Sequence, residues 1–329
     1  MQAIRFHRFG PPDGVLQLED LPLPEPGAGQ VRLRLTHRPI NPSDLLTISG
    51  DYGRRPRLPA TPGLEGVGRI DALGESVRGW RIGDRAIPLG AAGTWAEFVL
   101  ADAARLLPVP DAVSDETAAQ FVVNPVTAWV MLEDELSLQP GDWVLQTAAG
   151  STLGRLVIQL ARRRGYRTVN LVRWPEQVGE LLALGADAAL AAGDPDLVAR
   201  VRELTGGGVK GALEAVGGET AAAALHCLRP GGVMIVYGLL SAEPWPLHNG
   251  EMLFRGLTVR GFWLSHWFQH TPPERAQTAL LALMQLMAAG DLVPPVEAAY
   301  DLADFHLAVA HAEWPGRRGK VLLTGPEKS

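Results

Sequence analysis

Cysteine is nearly absent: Cys227 is the only one in 329 residues. A lone thiol excludes an intramolecular disulfide and any cysteine-rich metal cluster. Long apolar runs are missing too. No stretch approaches the roughly 18 residues that a membrane span needs, and the opening MQAIRFHRFG lacks the apolar core of a secretory signal. Positive charge is not in excess. The formal net charge is −6, so no broad basic field draws the chain to nucleic acid or to an anionic membrane surface. Tyrosine is scarce, four in all, which makes elimination useful when an acid is sought. The expected compartment is the cytoplasm, with neither nucleic acid nor membrane as partner. With 47% apolar and 20% charged residues, the remaining composition is that of an ordinary globular protein long enough for two domains.

The texture changes along the chain. Up to about residue 120, proline and glycine punctuate short apolar runs at 31–35, 66–73, 84–88 and 95–100, which reads as a small β-rich domain. Arg32, Arg34, Arg69 and Asp71 alternate there with apolar residues, as on half-exposed strands. From about 115 the pattern becomes alternating helix and strand. Helices are expected at 115–123, 153–164, 175–184, 195–205 and 219–228, and strands at 143–147, 168–173, 188–192, 211–216, 232–237 and 257–262. That alternation predicts an α/β fold with a doubly wound parallel sheet. A long helix at 272–289 follows, and 295–329 returns to strand, helix and a last strand at 320–324. The expected domains are therefore 1–120 with 295–329, β-rich, and 121–294, nucleotide-binding.

The most informative segment is 141–173, GDWVLQTAAGSTLGRLVIQLARRRGYRTVNLVR, read as strand, small-residue turn, amphipathic helix and second strand. Ala149, Ser151 and Gly154 occupy the three positions of the dinucleotide fingerprint G-x-G-x-x-G. That motif demands a tight turn, close backbone approach to a pyrophosphate, and helix packed on strand. Alanine and serine weaken it by adding Cβ atoms. The second strand ends in Arg173, where an NAD enzyme places an acid on the ribose 2′-hydroxyl. A cation there suits a 2′-phosphate, so the expected cofactor is NADPH. The plain alternative is a solvated arginine at a strand end. Trp174 follows, able to stack on adenine or on Arg173.

With these segments in place, the chain resembles the medium-chain dehydrogenase/reductase superfamily. The order of β-rich domain, Rossmann unit and short return segment carries the likeness, and it implies a GroES-like catalytic domain beside a Rossmann NADP-binding domain. Five runs, INPSDLLTISGDYG (40–53), LPATPGLEGVGRI (58–70), NPVTAWVML (124–132), VNLVR (169–173) and VRGFWLSHW (259–267), resemble the zinc-free 2-enoyl thioester reductases of fatty-acid metabolism. Quinone oxidoreductases share most of the frame. At the positions where zinc dehydrogenases of the superfamily carry catalytic ligands, this chain has Asn41, Leu64 and Asn124. None is a good zinc ligand, and the eight histidines show no convincing ligand spacing. No metal is expected.

Without a Lewis acid, reduction of a C=C bond conjugated to a carbonyl is the easier chemistry. It needs a hydrogen bond at the carbonyl and a proton donor across the alkene. Tyr166 precedes the second Rossmann strand, Tyr300 lies in the return segment, and Tyr237 ends a strand where it would line the nicotinamide pocket. Tyr52 sits in the loop GDYG. In the family, the tyrosine of the matching G-N/D-Y-G loop gives the proton or orients the substrate, which makes Tyr52 the candidate catalytic residue. A phenol, with an ordinary pKa of about 10, carries its proton at neutral pH. The plain reading is a loop tyrosine capping the β-rich domain.

The resemblance also implies cofactor contacts. Gly150, Ser151, Thr152 and Leu153 would line the pyrophosphate turn, and Asn124 and Thr127 would lie beside the nicotinamide, Pro125 suiting a first helical turn. Gly238 would sit where a side chain obstructs the cofactor. Phe262 and Trp263 would border nicotinamide and acyl pocket, or be strand core. Lys320 would reach the cofactor phosphates or be solvated. Asn41 would hydrogen-bond cofactor or substrate, or form a turn before Pro42. Arg54 and Arg55, with Arg57, would meet the phosphates of CoA or phosphopantetheine, or be a solvated loop. Trp263 and Trp267, within the aromatic run 262–268, would wall an acyl pocket. The apolar strand at 258–264 suggests a sheet edge that pairs in a homodimer. Three functions stay open: NADPH-dependent reduction of trans-2-enoyl thioesters on CoA or acyl carrier protein, quinone or small-enone reduction, and non-catalytic NADPH binding.

Overall fold

Alternation builds the central strand of the β-rich unit. In Gln30–Pro39 the side chains of Val31, Leu33 and Leu35 are buried while Arg34 is exposed, the period-two pattern of a sheet with one face on a core. The structure, a computed structural model, describes residues 1–241 and 243–325. It divides into one unit of 1–123, 287–289 and the described chain from 293, and a second of 124–286 with 290–292.

In the first unit a mixed sheet runs in the order Val296–Asp301, Lys320–Thr324, Gln30–Pro39, Val67–Leu73, Arg85–Pro88 and Leu106–Pro108, with Phe98–Asp102 also paired to Gln30–Pro39. Gln2–Phe6 and Leu16–Asp20 make a separate antiparallel pair. The return segment belongs to the same core: Ile4, Phe6, Ile48 and Trp95 pack with Phe305, Val309, Val321 and Leu323. Arg32 departs from the half-exposed expectation. It is buried at 9% because Asp71 on the paired strand accepts from its Nε at 2.7 Å and Glu25 from its Nη1 at 3.1 Å. A buried charge needs such partners.

The second unit holds six parallel strands in the order Ala188–Ala191, Arg167–Val172, Trp143–Gln146, Val209–Glu214, Leu228–Val236 and Thr258–Gly261. Parallel strands covered on both faces read as near-continuous apolar runs, and Leu145, Val169, Leu171, Ala212 and Met234 are all buried in one cluster with Leu197, Val201 and Leu225 from the crossover helices. This is the expected doubly wound α/β arrangement, separate from the β-rich sheet of the first unit. Three boundary changes touch candidate residues or their neighbours. The helix expected over 115–123 is broken into Asp115–Ala119 and Val123–Val130. A continuous helix would set the Pro125 ring against the carbonyl of Phe121, whereas a new start puts proline in a first turn. The second Rossmann strand stops at Val172, so Arg173 lies one residue beyond it. The last parallel strand stops at Gly261, so Phe262 and Trp263 are not strand residues.

Candidate functional site

In the parallel unit the site is set by where the first strand ends. Trp143–Gln146 lies between Arg167–Val172 and Val209–Glu214, the point where the winding reverses and a doubly wound sheet takes its ligand. The chain leaves through Thr147 and turns at Ala148, φ +50°, a left-handed backbone carrying a Cβ. Ser151 then caps the helix Thr152–Arg164, its hydroxyl accepting from Gly154 N–H at 3.1 Å. The N–H groups of Thr152 and Leu153 keep no partner among the described residues. With the helix dipole behind them, they fit a pyrophosphate. At Gly154 a Cβ would stand 2.5 Å from Ala149 O and 2.6 Å from Ala149 Cα, so the third fingerprint position has no room for another residue without moving the turn. Gly150 is enclosed from the other side, a Cβ there falling 2.8 Å from Gln177 Nε2. Arg155 ties Gly150 O, at 3.2 Å, to Glu180, at 2.8 Å. Beneath the turn, buried Gln146 donates to Gly154 O at 2.8 Å and to Asn170 Oδ1 at 2.7 Å.

Arg173 is exposed, with its guanidinium 5.3 Å over the Trp174 ring. Its charge stands at the solvent-open end of the second strand, a fit to a 2′-phosphate. Asn124 and Thr127 are buried on Val123–Val130, and Asn124 Nδ2 has no partner among the described residues. Tyr237 follows the end of Leu228–Val236, and its N–H donates to Glu214 O at 2.9 Å. Burial pushes its phenol up, helped by the charge of Glu214. Glu214 is itself buried. Its Oε1 accepts from the N–H groups of Val216 and Gly217, Oε2 has no partner among the described residues, and burial raises its pKa. Gly238 has a nearer reason to be glycine than a cofactor, since a Cβ would stand 2.7 Å from Ala215 Cβ.

The aromatic run is wound differently from the expectation. Trp263 opens the helix Leu264–His270 and is 38% exposed. Trp267 is buried, and its Nε1 donates to Asp134 Oδ2 at 3.0 Å. Its ring lies edge-on against Phe268.

In the β-rich unit the helix Pro42–Ser49 organises the other candidates. Asn41 is its N-cap and Pro42 its first residue, with Asp44 Oδ2 reaching back to Asn41 N–H at 2.8 Å, as in a capping box. Gly50 ends it at φ +89°, and the N–H groups of Gly50, Asp51 and Tyr52 all donate to Leu46 O within 3.1 Å. Half-buried Tyr52 thus sits in a loop pinned to the helix end. Arg55 is exposed, with its Nε donating to Gly50 O at 2.6 Å and its guanidinium 5.4 Å over Phe9. Arg54 is exposed.

Around Asn41 lies a buried charge cluster. Asn41 Nδ2 donates to Glu65 Oε1 at 2.9 Å, and Glu65 Oε2 accepts from Val122 N–H at 2.8 Å and Val123 N–H at 2.9 Å. Burial pushes Glu65 up, with these hydrogen bonds and Lys320 opposing. Burial likewise raises Asp44 to about 7 and lowers Lys320 to about 8. Lys320 is not solvated. It is 5% exposed, with Glu65 and Asp44 as its neighbouring opposite charges. The remaining tyrosines are engaged within their own units: Tyr166 Oη donates to Glu133 at 3.0 Å and Tyr300 Oη meets His311 Nδ1 at 2.9 Å.

Residues 152–284 match the family described as zinc-binding dehydrogenase, and 27–111 the alcohol dehydrogenase GroES-like domain. The rat protein named enoyl-acyl-carrier-protein reductase, mitochondrial, is 35% identical over 98% of this chain and 88% of its own length. The chain belongs to the medium-chain dehydrogenase/reductase superfamily. Among solved structures, a Bacillus thuringiensis protein provisionally named an NADPH:quinone reductase is 36% identical, with TM-score 0.92 over 98% of each chain. Escherichia coli quinone oxidoreductase complexed with NADPH is 26% identical, with TM-score 0.89 over 98% of this chain and 100% of its own.

As a member of this superfamily the protein is an oxidoreductase, yet its residues do not fit the zinc of that family description. Leu64 offers no donor atom, and the Asn41 amide nitrogen is committed to Glu65. Among the described residues no group of three or more His, Cys, Asp or Glu is placed to hold an ion. No helix of the described residues is long and apolar enough to cross a membrane. Sequence reasoning passed over Asp44, Glu65, Glu214 and the Gln146–Asn170 clamp. Two had a signal. Asn41 and Asp44 have capping-box spacing, and Glu65 is a lone acid between glycine-flanked apolar residues, where an unpaired charge has no reason to be.

Proposed function

We propose that this oxidoreductase uses NADPH to reduce the C=C bond of trans-2-enoyl thioesters carried on CoA or acyl carrier protein, without zinc. The observation that carries this reading is the 35% identity, over 98% of the chain, to a protein named enoyl-acyl-carrier-protein reductase. The cofactor reading is supported by the open helix start at Thr152 and Leu153, the cation at Arg173, and the NADPH in the E. coli relative. Bound NADPH supplies a hydride to Cβ of the acceptor. The chain must then do two things: orient the thioester carbonyl, where negative charge develops, and deliver a proton to Cα. Tyr52, held by its backbone to Leu46, is the proton donor in this reading. Phe262, Trp263 and Trp267 border the acyl chain, and Arg54 and Arg55 meet the carrier's phosphates. We also read the protein as a cytoplasmic homodimer. Thr258–Gly261 is an edge strand, preceded by a helix bearing exposed Leu253 and Phe254, surfaces that call for a partner.

Quinone reduction is the second reading, favoured by the names of the two structural relatives. A quinone needs less help from an acid. The test is NADPH oxidation by wild type and Tyr52→Phe with a short and a long trans-2-enoyl-CoA and a quinone. The thioester reading expects enoyl turnover that falls about a hundredfold in the variant. Turnover with quinone alone, unchanged in the variant, moves the protein to the second reading. Cofactor binding without any turnover leaves a non-catalytic role. Sedimentation velocity tests the dimer, and a monomer at assay concentration refutes it.

A further inference from the structure

Arg155 is a cation where its helix does not favour one. It sits in the first turn of Thr152–Arg164, and the positive end of the helix dipole repels a positive charge there. Glu180 answers it. Arg155 Nη2 donates to Glu180 Oε2 at 2.8 Å, the two side chains 13% and 29% exposed, while Nε donates to Gly150 O at 3.2 Å. One guanidinium therefore separates a carboxylate from the phosphate-binding turn. The segment after the second Rossmann strand is folded back onto that turn. It runs from Arg173 through the short helix Pro175–Gln177 into Val178–Leu184, which carries Glu180, and the Gln177 amide lies against Gly150. Arg173 and Glu180 thus stand on one short segment, the first a cation suited to a 2′-phosphate and the second an acid that would oppose it. A part-buried charge is screened less than one in open water. NADPH carries roughly twice the phosphate charge of NADH, so an acid at the turn would disfavour it more.

We propose that Arg155 is a specificity-determining residue that neutralises Glu180 beside the phosphate turn, so that Glu180 does not offset the attraction of Arg173 for the 2′-phosphate of NADPH. The proposal rests on the reading of this turn as the NADPH phosphate site. Arg173 attracts the 2′-phosphate, and Arg155 cancels the acid that would repel it. The electrostatic and the structural parts of Arg155 separate by substitution. Glu180→Gln keeps an oxygen that accepts from Nη2 and removes only the negative charge, so Arg155 then adds a cation to the site. Arg155→Met keeps an apolar stem, removes the tie to Gly150 O, and leaves the charge of Glu180 without this arginine. Combining the two substitutions restores the charge balance but not the tie.

The experiment is fluorescence titration of NADPH and of NADH at low and high salt, with thermal melts as the folding control, on wild type, R155M, E180Q and R155M/E180Q. In R155M the expected result is NADPH binding about tenfold weaker and NADH about threefold weaker, a loss that shrinks at high salt. E180Q should bind NADPH about threefold more tightly than wild type, and the double variant within about threefold of it. A purely structural tie predicts E180Q unchanged, the double variant as weak as R155M, and equal losses for the two cofactors; that pattern overturns the proposal. An R155M loss that does not respond to salt also overturns it. If R155M does not fold, E180Q decides: tighter NADPH binding supports the proposal, and unchanged or weaker binding overturns it. Wild type that binds NADPH, with variants that lack these charge effects, refutes this proposal alone. Wild type that does not bind NADPH refutes the cofactor reading and the proposal together.

Discussion

Gly154→Ala separates two effects of similar size and opposite sign. Glycine inside a helix costs about 1 kcal/mol relative to alanine, so in the helix Thr152–Arg164 the substitution would stabilise if the site were open. It is not open. The added Cβ would lie 2.5, 2.6 and 2.7 Å from the carbonyl oxygen, Cα and carbonyl carbon of Ala149. These are backbone atoms, and Ala149 is held in place by its N–H bond to Leu171 O at 3.1 Å. The Gln146 donation to Gly154 O also resists a shift of the helix. Overpacking of this kind costs about 1–3 kcal/mol. The net expectation is a loss of about 1 kcal/mol or somewhat more, which lowers Tm by about 2–4 °C in a unit of this size. The turn must move to relieve the contact, and it carries the N–H groups read as the pyrophosphate site, so NADPH affinity should fall as well. Differential scanning calorimetry and NADPH fluorescence titration read the two effects. A Tm equal to or above wild type, with unchanged NADPH affinity, would refute the argument that the third fingerprint glycine is required by helix-on-turn packing.

Arg173→Ala should weaken NADPH about tenfold, the lower end for a lost charge-assisted hydrogen bond at an exposed site, and leave NADH unchanged; equal losses for both cofactors would place the 2′-phosphate elsewhere. Asp44 gives a pH prediction. Burial raises its carboxyl from 3.8 to about 7, so the folded state holds the proton more tightly than the unfolded one. The associated stability is full below about 3.8 and is lost as the pH rises through about 7. Asp44→Asn can still accept from Asn41 N–H but does not titrate. Urea unfolding of both proteins should therefore show the stability difference, wild type minus variant, falling between about pH 4 and 7; a flat or rising difference contradicts the burial of Asp44.

The sequence alone was sufficient where a local pattern has a single physical solution. Continuous apolar runs alternating with amphipathic stretches can only bury both faces of a parallel sheet under helices, so the doubly wound unit was legible from 143 onward, strand by strand. The small-residue turn before Thr152 was legible for the same reason. Element ends were less legible. At 262 and 263 the chain leaves the strand and enters the helix Leu264–His270, whose Trp267 finds its Asp134 partner 133 residues away. The charge cluster was invisible for a stronger version of that reason. Asn41, Asp44, Glu65 and Lys320 come from three segments spread over nearly the whole chain, and each looks ordinary among its sequence neighbours. Folding alone takes them out of water together. Burial then gives Glu65 its need for N–H donors, turns the Asn41 amide, and makes a solvated-looking lysine the partner of two acids.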